Sequence, residues 1–402
     1  MNRYAISPPS GTFDRILSDC SALRAAEAHF RTAMARRGYQ EVSSPVIEDY
    51  DVFLQAKSPL KQEDLFKLID ENGRILVLRP DSTIPLARIA AGKLAGSPPP
   101  YRMFYIQDVL RAHTGNGHPR EIRQAGAELI GANGPTADLD LLTSGCDALE
   151  ALGAARYSLE LGHAGIYREL IEELGAPEDI REEIRRCIES KSFAALRQLL
   201  APYRENSAYE ALLAMPKLFG GREVLEQAGS LTKNPAVHAC LAYLELIFLS
   251  MSQAGYGEHL TIDLGLVHEM GYYTGILFRG FLAGKGGTLL SGGRYDSLCG
   301  RFGREMPAVG FAVDLGELLQ PQEAEERPPN LLIFSGAKQF AKALAIVREG
   351  QEPAEICLGE TLPEALDQAQ QRGIVRVLDI SEKASRLYER GKVWMKTKSD
   401  WR

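Results

Sequence analysis

The chain has 402 residues, 45% of them hydrophobic and 25% charged, which fits a folded globular protein of two or three domains and excludes disordered and fibrous classes. No apolar run is expected to reach the roughly 18 residues of a membrane-spanning helix, and the start, Met1 to Pro9, lacks the apolar core of a signal peptide, so the expected location is cytoplasmic, with no membrane partner. A net charge of −7 without a conspicuous Lys/Arg cluster offers no footprint for extended RNA.

Taken in chain order, Leu23, Ala26, Phe30 and Met34 recur at helical spacing and predict a first long helix over residues 21–37, stopped by Gly38. Residues 74–79 read as a strand ended by Pro80, and Ser82, Thr83 and Pro85 as the start of a helix. Residues 101–109 and 121–130 read as two strands of an antiparallel hairpin, joined by a turn-rich loop that carries His113 and His118. A charged, helical insertion is expected over about 165–255, and strand and glycine signals return over 260–312. Residues 321–329 read as a linker. Beyond it, apolar runs at 331–334, 356–358 and 375–378 alternate with helical stretches, which predicts a small α/β C-terminal domain over 330–402, after a main domain over 1–320. The six cysteines lie far apart with no C-x-x-C, so they are expected to be reduced and mostly buried. Neither they nor the histidines suggest a metal site.

Three segments carry candidate chemistry. On the strand over 121–130, Gln124, Gly126 and Glu128 face one way, with the outer two about 13 Å apart at roughly 3.3 Å per residue. Two long polar side chains there can lean over a small ligand, with Gly126 leaving it room; the plainer alternative is a solvent-facing strand. Ser291-Gly292-Gly293-Arg294-Tyr295-Asp296 permits either a sharp hairpin turn or a close approach of backbone to a ligand. Gly284-Lys285-Gly286-Gly287-Thr288 lacks Walker A spacing and reads as a turn. Tyr272 and Tyr273 fit either a core with satisfied hydroxyls or the wall of a polar pocket.

Together these segments resemble the catalytic domain of the histidyl-tRNA synthetase family over roughly residues 8–320. The resemblance rests on Leu78-Arg79-Pro80-Asp81-Ser82-Thr83, Gln124-Ala125-Gly126-Ala127-Glu128, Tyr272-Tyr273-Thr274-Gly275, Gly292-Gly293-Arg294-Tyr295-Asp296 and Pro307-Ala308-Val309-Gly310-Phe311-Ala312. It implies an α+β class II aminoacyl-tRNA synthetase-like fold, an antiparallel sheet flanked by helices, and self-association as a dimer or higher oligomer, partly through the first long helix. It also implies a pocket for free histidine. There Asp81, Thr83 and Gln124 hold the amino group, Glu128 and Tyr273 recognise the imidazole, and Arg111 and Tyr272 complete the wall. Carboxylates suit an ammonium, and an acceptor paired with a hydroxyl can read both ring nitrogens.

The departures from that family bear on activity. Its Phe-Arg-x-Glu becomes Leu110-Arg111-Ala112-His113, its Arg-Gly-x-Asp-Tyr-Tyr becomes His268-Glu269-Met270-Gly271-Tyr272-Tyr273, and its late Glu-Arg pair becomes Gly316-Glu317. Losing one well-placed donor costs about 100 to 1,000-fold in rate, so adenylate formation is expected to be absent. That combination resembles the branch that regulates ATP phosphoribosyltransferase, the first enzyme of histidine biosynthesis. The resemblance implies a non-catalytic chain with no cofactor and no tRNA partner. Such a chain joins a short-form catalytic subunit in a hetero-oligomer, activates it, and carries feedback by histidine as effector. The alternatives are an active histidyl-tRNA synthetase or histidine-adenylating paralogue, and a free-standing histidine sensor. The tail is short for an anticodon-binding domain.

Overall fold

In the computed structural model, which describes residues 7–56, 60–112, 119–154, 156–267, 272–284, 286–318, 329–382, 385–389 and 392–395, the first helix spans Leu17–Arg36. It begins a turn earlier than its apolar spacing predicts and ends where Gly38 takes φ +77°, a conformation that costs glycine little. Its buried stripe of Leu23, Ala26, Phe30, Ala33 and Met34 lies on a sheet. The Phe30 ring meets Phe104 and Phe311 edge-on at 6.2 and 6.4 Å.

The chain forms two compact units, Met1–Gln322 and Glu323–Arg402. The strands of the first are β1 (Gln40–Glu41), β2 (Ile47–Asp49), β3 (Lys67–Ile69), β4 (Ile75–Leu78), β5 (Tyr101–Leu110), β6 (Glu121–Ile130), β7 (Tyr157–His163), β8 (Phe219–Gly220), β9 (Leu260–Asp263), β10 (Ile276–Leu282), β11 (Thr288–Arg294) and β12 (Ala308–Asp314). Nine of them form one sheet in the order β1-β5-β6-β12-β11-β10-β7-β9-β8, and β2-β4-β3 form a small one. The centre of the large sheet is antiparallel, as expected, but the sheet is mixed: β1 pairs with β5, and β7 with β9, in parallel. Both parallel strands are short pieces beside the antiparallel centre, and periodicity carries no sign of strand direction.

Helices Ala164–Leu174, Glu178–Glu189, Phe193–Leu200, Tyr209–Ala214, Glu223–Ser230 and Pro235–Met251 fill the segment expected to be a helical insertion. Its Ile171, Ile184, Leu200, Leu212, Leu225 and Leu244 belong to the same buried cluster as Leu141, Leu159 and Phe311 under the sheet. The segment therefore extends the main core. One stretch, Pro235–His259, is long and apolar enough by length and composition to cross a membrane, which corrects the expectation that no such run exists. Its Val237, Leu241, Leu244, Ile247 and Met251 are buried in that cluster, as in a core helix.

The second unit has strands β13 (Leu331–Phe334), β14 (Ala354–Ile356), β15 (Arg376–Asp379), β16 (Arg386–Glu389) and β17 (Lys392–Met395), in the order β14-β13-β15-β16-β17. Alternation along β13 decides its layers. Leu332 and Phe334 join Ala365 and Ala369 of the helix Leu362–Gln371, while Leu331 and Ile333 join Ala343 of the helix Phe340–Glu349. The segment expected to be the linker lies mostly outside the described residues. The cysteines are free, with Cys146, Cys299 and Cys357 buried and Cys20 exposed.

Candidate functional site

The end of β4 and the start of the next helix deliver the first pocket residues. Arg79 is buried and donates to the carbonyls of Ser44, Pro45 and Asp108 at 2.7, 2.8 and 3.1 Å, so it clamps three segments together. Pro80 then turns the chain, and Asp81 accepts a bond from the Ile84 amide at 2.9 Å, supplying a partner to a helix start that would otherwise lack one. Arg111, just past β5, donates through Nε to the Pro80 carbonyl at 3.2 Å, which holds its guanidinium beside Asp81.

Strand β6 sits between β5 and β12, with Gln124 opposite Gln107 and Asp314, and Glu128 opposite Met103 and Gly310. Ala125 to Ile130 are all buried, so the solvent-facing alternative for this strand fails. Tyr272 and Tyr273 stand just before β10, their rings edge to face at 4.8 Å, and Tyr272 stacks on Tyr295 at 6.0 Å.

These elements enclose a cavity of about 190 Å3, lined by Asp81, Thr83, Arg111, Gln124, Tyr272 and Tyr273, with Tyr295 and the backbones of β11 and β12 closing it. Six of the seven residues singled out from the sequence thus meet on one cavity. The seventh, Glu128, lies one layer behind the wall. It is 1% exposed and accepts from Thr83 Oγ1 at 2.7 Å and from the Tyr295 hydroxyl.

Sequence reasoning missed Tyr295 and Tyr105. Tyr295 stands in the motif Gly292-Gly293-Arg294-Tyr295-Asp296, whose spacing assigns it no role, although its hydroxyl joins the cavity to Glu128 as that of Thr83 does. Tyr105 faces Gly126 across the sheet, and a Cβ at Gly126 would meet its hydroxyl and the Phe311 carbonyl. The room left by Gly126 is therefore taken by Tyr105, which corrects the expectation that it serves a ligand. The glycine pair 292–293 likewise lies within β11, so the hairpin-turn reading fails. Gly292 clears the Phe278 ring, and a Cβ at Gly293 would come within 2.8 Å of the Tyr273 ring.

The electrostatics follow from burial. Glu128 is pushed up to about 8 by desolvation, which the hydrogen bonds from Tyr295 and Thr83 oppose only in part. Asp81 is also raised by burial, against the opposing Ile84 amide and the Arg111 charge. Tyr105, Tyr272 and Tyr295 are held well above their ordinary range and remain neutral donors. Two reluctant carboxyls around one small cavity favour a ligand that brings positive charge and hydrogen-bond donors.

Gly310 sets the position of Glu128, because a methyl group there would coincide with the Glu128 carboxylate. Gly310→Ala is expected to cost about 1–3 kcal/mol of stability, as overpacking does, and to displace Glu128. Thermal unfolding checks this; an unchanged midpoint would mean that the β6–β12 contact is looser than described.

Of the departures that bear on ATP, the pair Gly316-Glu317 is described, and its Glu317 is the acid. It follows Asp314 at the end of β12, with its carboxylate 3.7 Å from where a Gly287 Cβ would stand. Positions 113 and 268, and the loop histidines, lie outside the described residues. Among the described residues no group of three or more His, Cys, Asp or Glu is placed to hold a metal ion.

Comparison with known proteins agrees with this fold. Residues 11–318 match the histidyl-tRNA synthetase family. The ATP phosphoribosyltransferase regulatory subunit of Clostridium kluyveri is 37% identical, covering 83% of this chain and 88% of that protein. The subunit of the same name from Bacillus cereus is 31% identical over 98% and 96%. Among solved structures, a Bacillus halodurans protein described as an ATP phosphoribosyltransferase regulatory subunit/histidyl-tRNA synthetase has a TM-score of 0.81 at 27% identity, over 93% of this chain and 97% of that one. Histidyl-tRNA synthetase from a Nostoc species shares the fold, with a TM-score of 0.77 at 20% identity over 98% and 97%.

Fold and site therefore define a class II aminoacyl-tRNA synthetase-like protein of α+β architecture. Within that class, the chain belongs to the family of ATP phosphoribosyltransferase regulatory subunits of histidine biosynthesis. The role that family name carries is regulatory and not catalytic.

Proposed function

We propose that the cavity binds free histidine, and that the chain joins a short-form ATP phosphoribosyltransferase catalytic subunit, activates it and carries feedback by histidine. The observation that carries this reading is the meeting of Asp81, Thr83, Arg111, Gln124, Tyr272 and Tyr273 on one small cavity backed by Glu128. Asp81, Thr83 and Gln124 suit an ammonium group. Tyr273 and the carboxyl behind the Tyr295–Thr83 wall suit the two nitrogens of an imidazole. For histidine to act as an effector it must bind two states of the assembly with different affinity. A coupling of about 1–3 kcal/mol changes affinity roughly 5 to 150-fold.

The same reading places the histidine-binding domain over residues 1–320 and a separate tail over 330–402. It also has the chain self-associate partly through its first long helix, act in the cytoplasm, and need neither cofactor nor tRNA. Calorimetry of the isolated chain tests it: histidine is expected to bind saturably, and ATP not to bind. Pyrophosphate exchange into ATP that depends on histidine, at an enzymatic rate, would overturn the reading in favour of an active ligase.

A further inference from the structure

Behind the tyrosine wall lies a buried polar chain that the pocket itself does not use. Asp138, on the helix Pro135–Ala151, is fully buried. Its Oδ1 accepts from Arg294 Nε at 3.0 Å and from a second guanidinium nitrogen at 2.5 Å, while its Oδ2 accepts from the Tyr243 hydroxyl at 2.6 Å. Arg294 also donates to Asp296 at 2.8 Å. Tyr243 belongs to the helix Pro235–Met251, so one carboxylate joins that helix to the end of β11.

Arg294 in turn carries the segment beside the pocket. Its carbonyl accepts from the Thr274 amide at 2.7 Å, and the Asp296 amide donates to Thr274 Oγ1 at 3.1 Å. Gly275 lies so close that a Cβ there would stand 2.9 Å from Arg294 Cδ. Residues 274–275, next to Tyr272 and Tyr273, therefore rest on the arginine. A second contact runs in parallel: the Tyr243 ring meets His163 edge-on at 5.8 Å. His163 pairs with Ile276, and the neighbouring Ala164 amide donates to the Gly275 carbonyl at 2.8 Å.

We propose that Arg294 is a positioning residue for the tyrosine wall, and that the Tyr243–Asp138–Arg294 chain passes the state of the pocket to the helix Pro235–Met251. This rests on the reading of the cavity as a histidine site. A buried, hydrogen-bonded ion pair has few alternative geometries, so a shift of residues 272–275 on ligand binding moves the guanidinium, the carboxylate and the tyrosine hydroxyl together. Spatial continuity alone does not establish such coupling; a change that both ends share does.

Hydrogen exchange and calorimetry on the full chain test the proposal. In the wild type, histidine is expected to slow amide exchange in residues 235–251. Tyr243→Phe keeps the ion pair and the ring contact with His163 but drops the hydroxyl, so it should still bind histidine saturably yet lose the larger part of that protection, with only the His163 contact left. Arg294→Lys keeps the charge without the fork and should weaken histidine binding by about 2 to 12-fold, the worth of one hydrogen bond. A purely structural role would lower the melting temperature of both variants and leave the response of the helix intact, and that result overturns the coupling. Histidine binding to the wild type with no change in residues 235–251 also overturns it and leaves the pocket assignment standing. No histidine binding at all removes both.

Discussion

Replacing Glu128 with alanine is expected to weaken histidine binding by roughly 5 to 150-fold, the equivalent of the about 1–3 kcal/mol that a buried polar group costs when it loses its partner. In a reconstituted assembly with the catalytic subunit, inhibition by histidine should disappear over the concentrations that inhibit the wild type. The reason lies in the arrangement behind the wall. Thr83 Oγ1 and the Tyr295 hydroxyl both donate to this one carboxyl, so its loss leaves two hydroxyls at the cavity without their acceptor. Either hydroxyl can then turn toward the ligand and no longer fixes the ring. Glu128→Gln keeps the size and an acceptor oxygen, so it separates the loss of the group from a failure to fold and should show a smaller loss. Inhibition unchanged in Glu128→Ala would mean that Thr83 and Tyr295 hold their positions without the carboxyl, and would remove Glu128 from the site.

Much of this arrangement was legible in the sequence because it lies within short, regular segments. The β5–β6 hairpin follows from two apolar strands around a turn-rich loop, and the alternation on β6 puts Gln124 and Glu128 on one face. What stayed hidden depends on contacts between distant segments. Asp138 and Arg294 are far apart in sequence, and nothing in the spacing of either marks the other. The partner of Gly126 is Tyr105, which is found only once the register of β5 against β6 is known. Glycines 292 and 293 have the composition of a turn, yet they run as strand because Phe278 and Tyr273 fill the space where side chains would be. The role of each glycine is set by the ring packed against it, and single-sequence patterns do not name that ring. The family resemblance implies that Glu128 lies against the ligand; the described structure puts the Tyr295 and Thr83 hydroxyls between it and the cavity.

The raised Glu128 carboxyl leads to a pH dependence with a definite sign. The groups around it are Thr83 and Tyr295, which donate to it, Asp81, which raises it further, and Tyr105, Tyr272 and Cys299, all held neutral by burial. The unfolded chain ionises this carboxyl near its ordinary 4.5, whereas the folded chain keeps the proton up to about 8. Its contribution to stability is therefore full below the lower value and is lost as pH rises through the upper one. Binding follows the same proton. Free imidazole loses its proton near about 6.5, so between that pH and about 8 the empty site and neutral histidine together hold one proton. Whether it rests on the carboxyl or on the ring, the bound pair also holds one, and binding in that window should neither release nor take up a proton. Above the window the carboxyl must regain its proton, and below it the imidazolium must lose one, so affinity should fall about tenfold per pH unit on either side. Glu128→Gln has no carboxyl to ionise and should lose the decline that begins near 8 while keeping the acid limb. Calorimetry in buffers of different ionisation enthalpy measures the proton count directly. A full proton taken up at neutral pH would mean that the empty site holds Glu128 ionised, and a full proton released would mean that the bound pair holds none; either result overturns the shared proton.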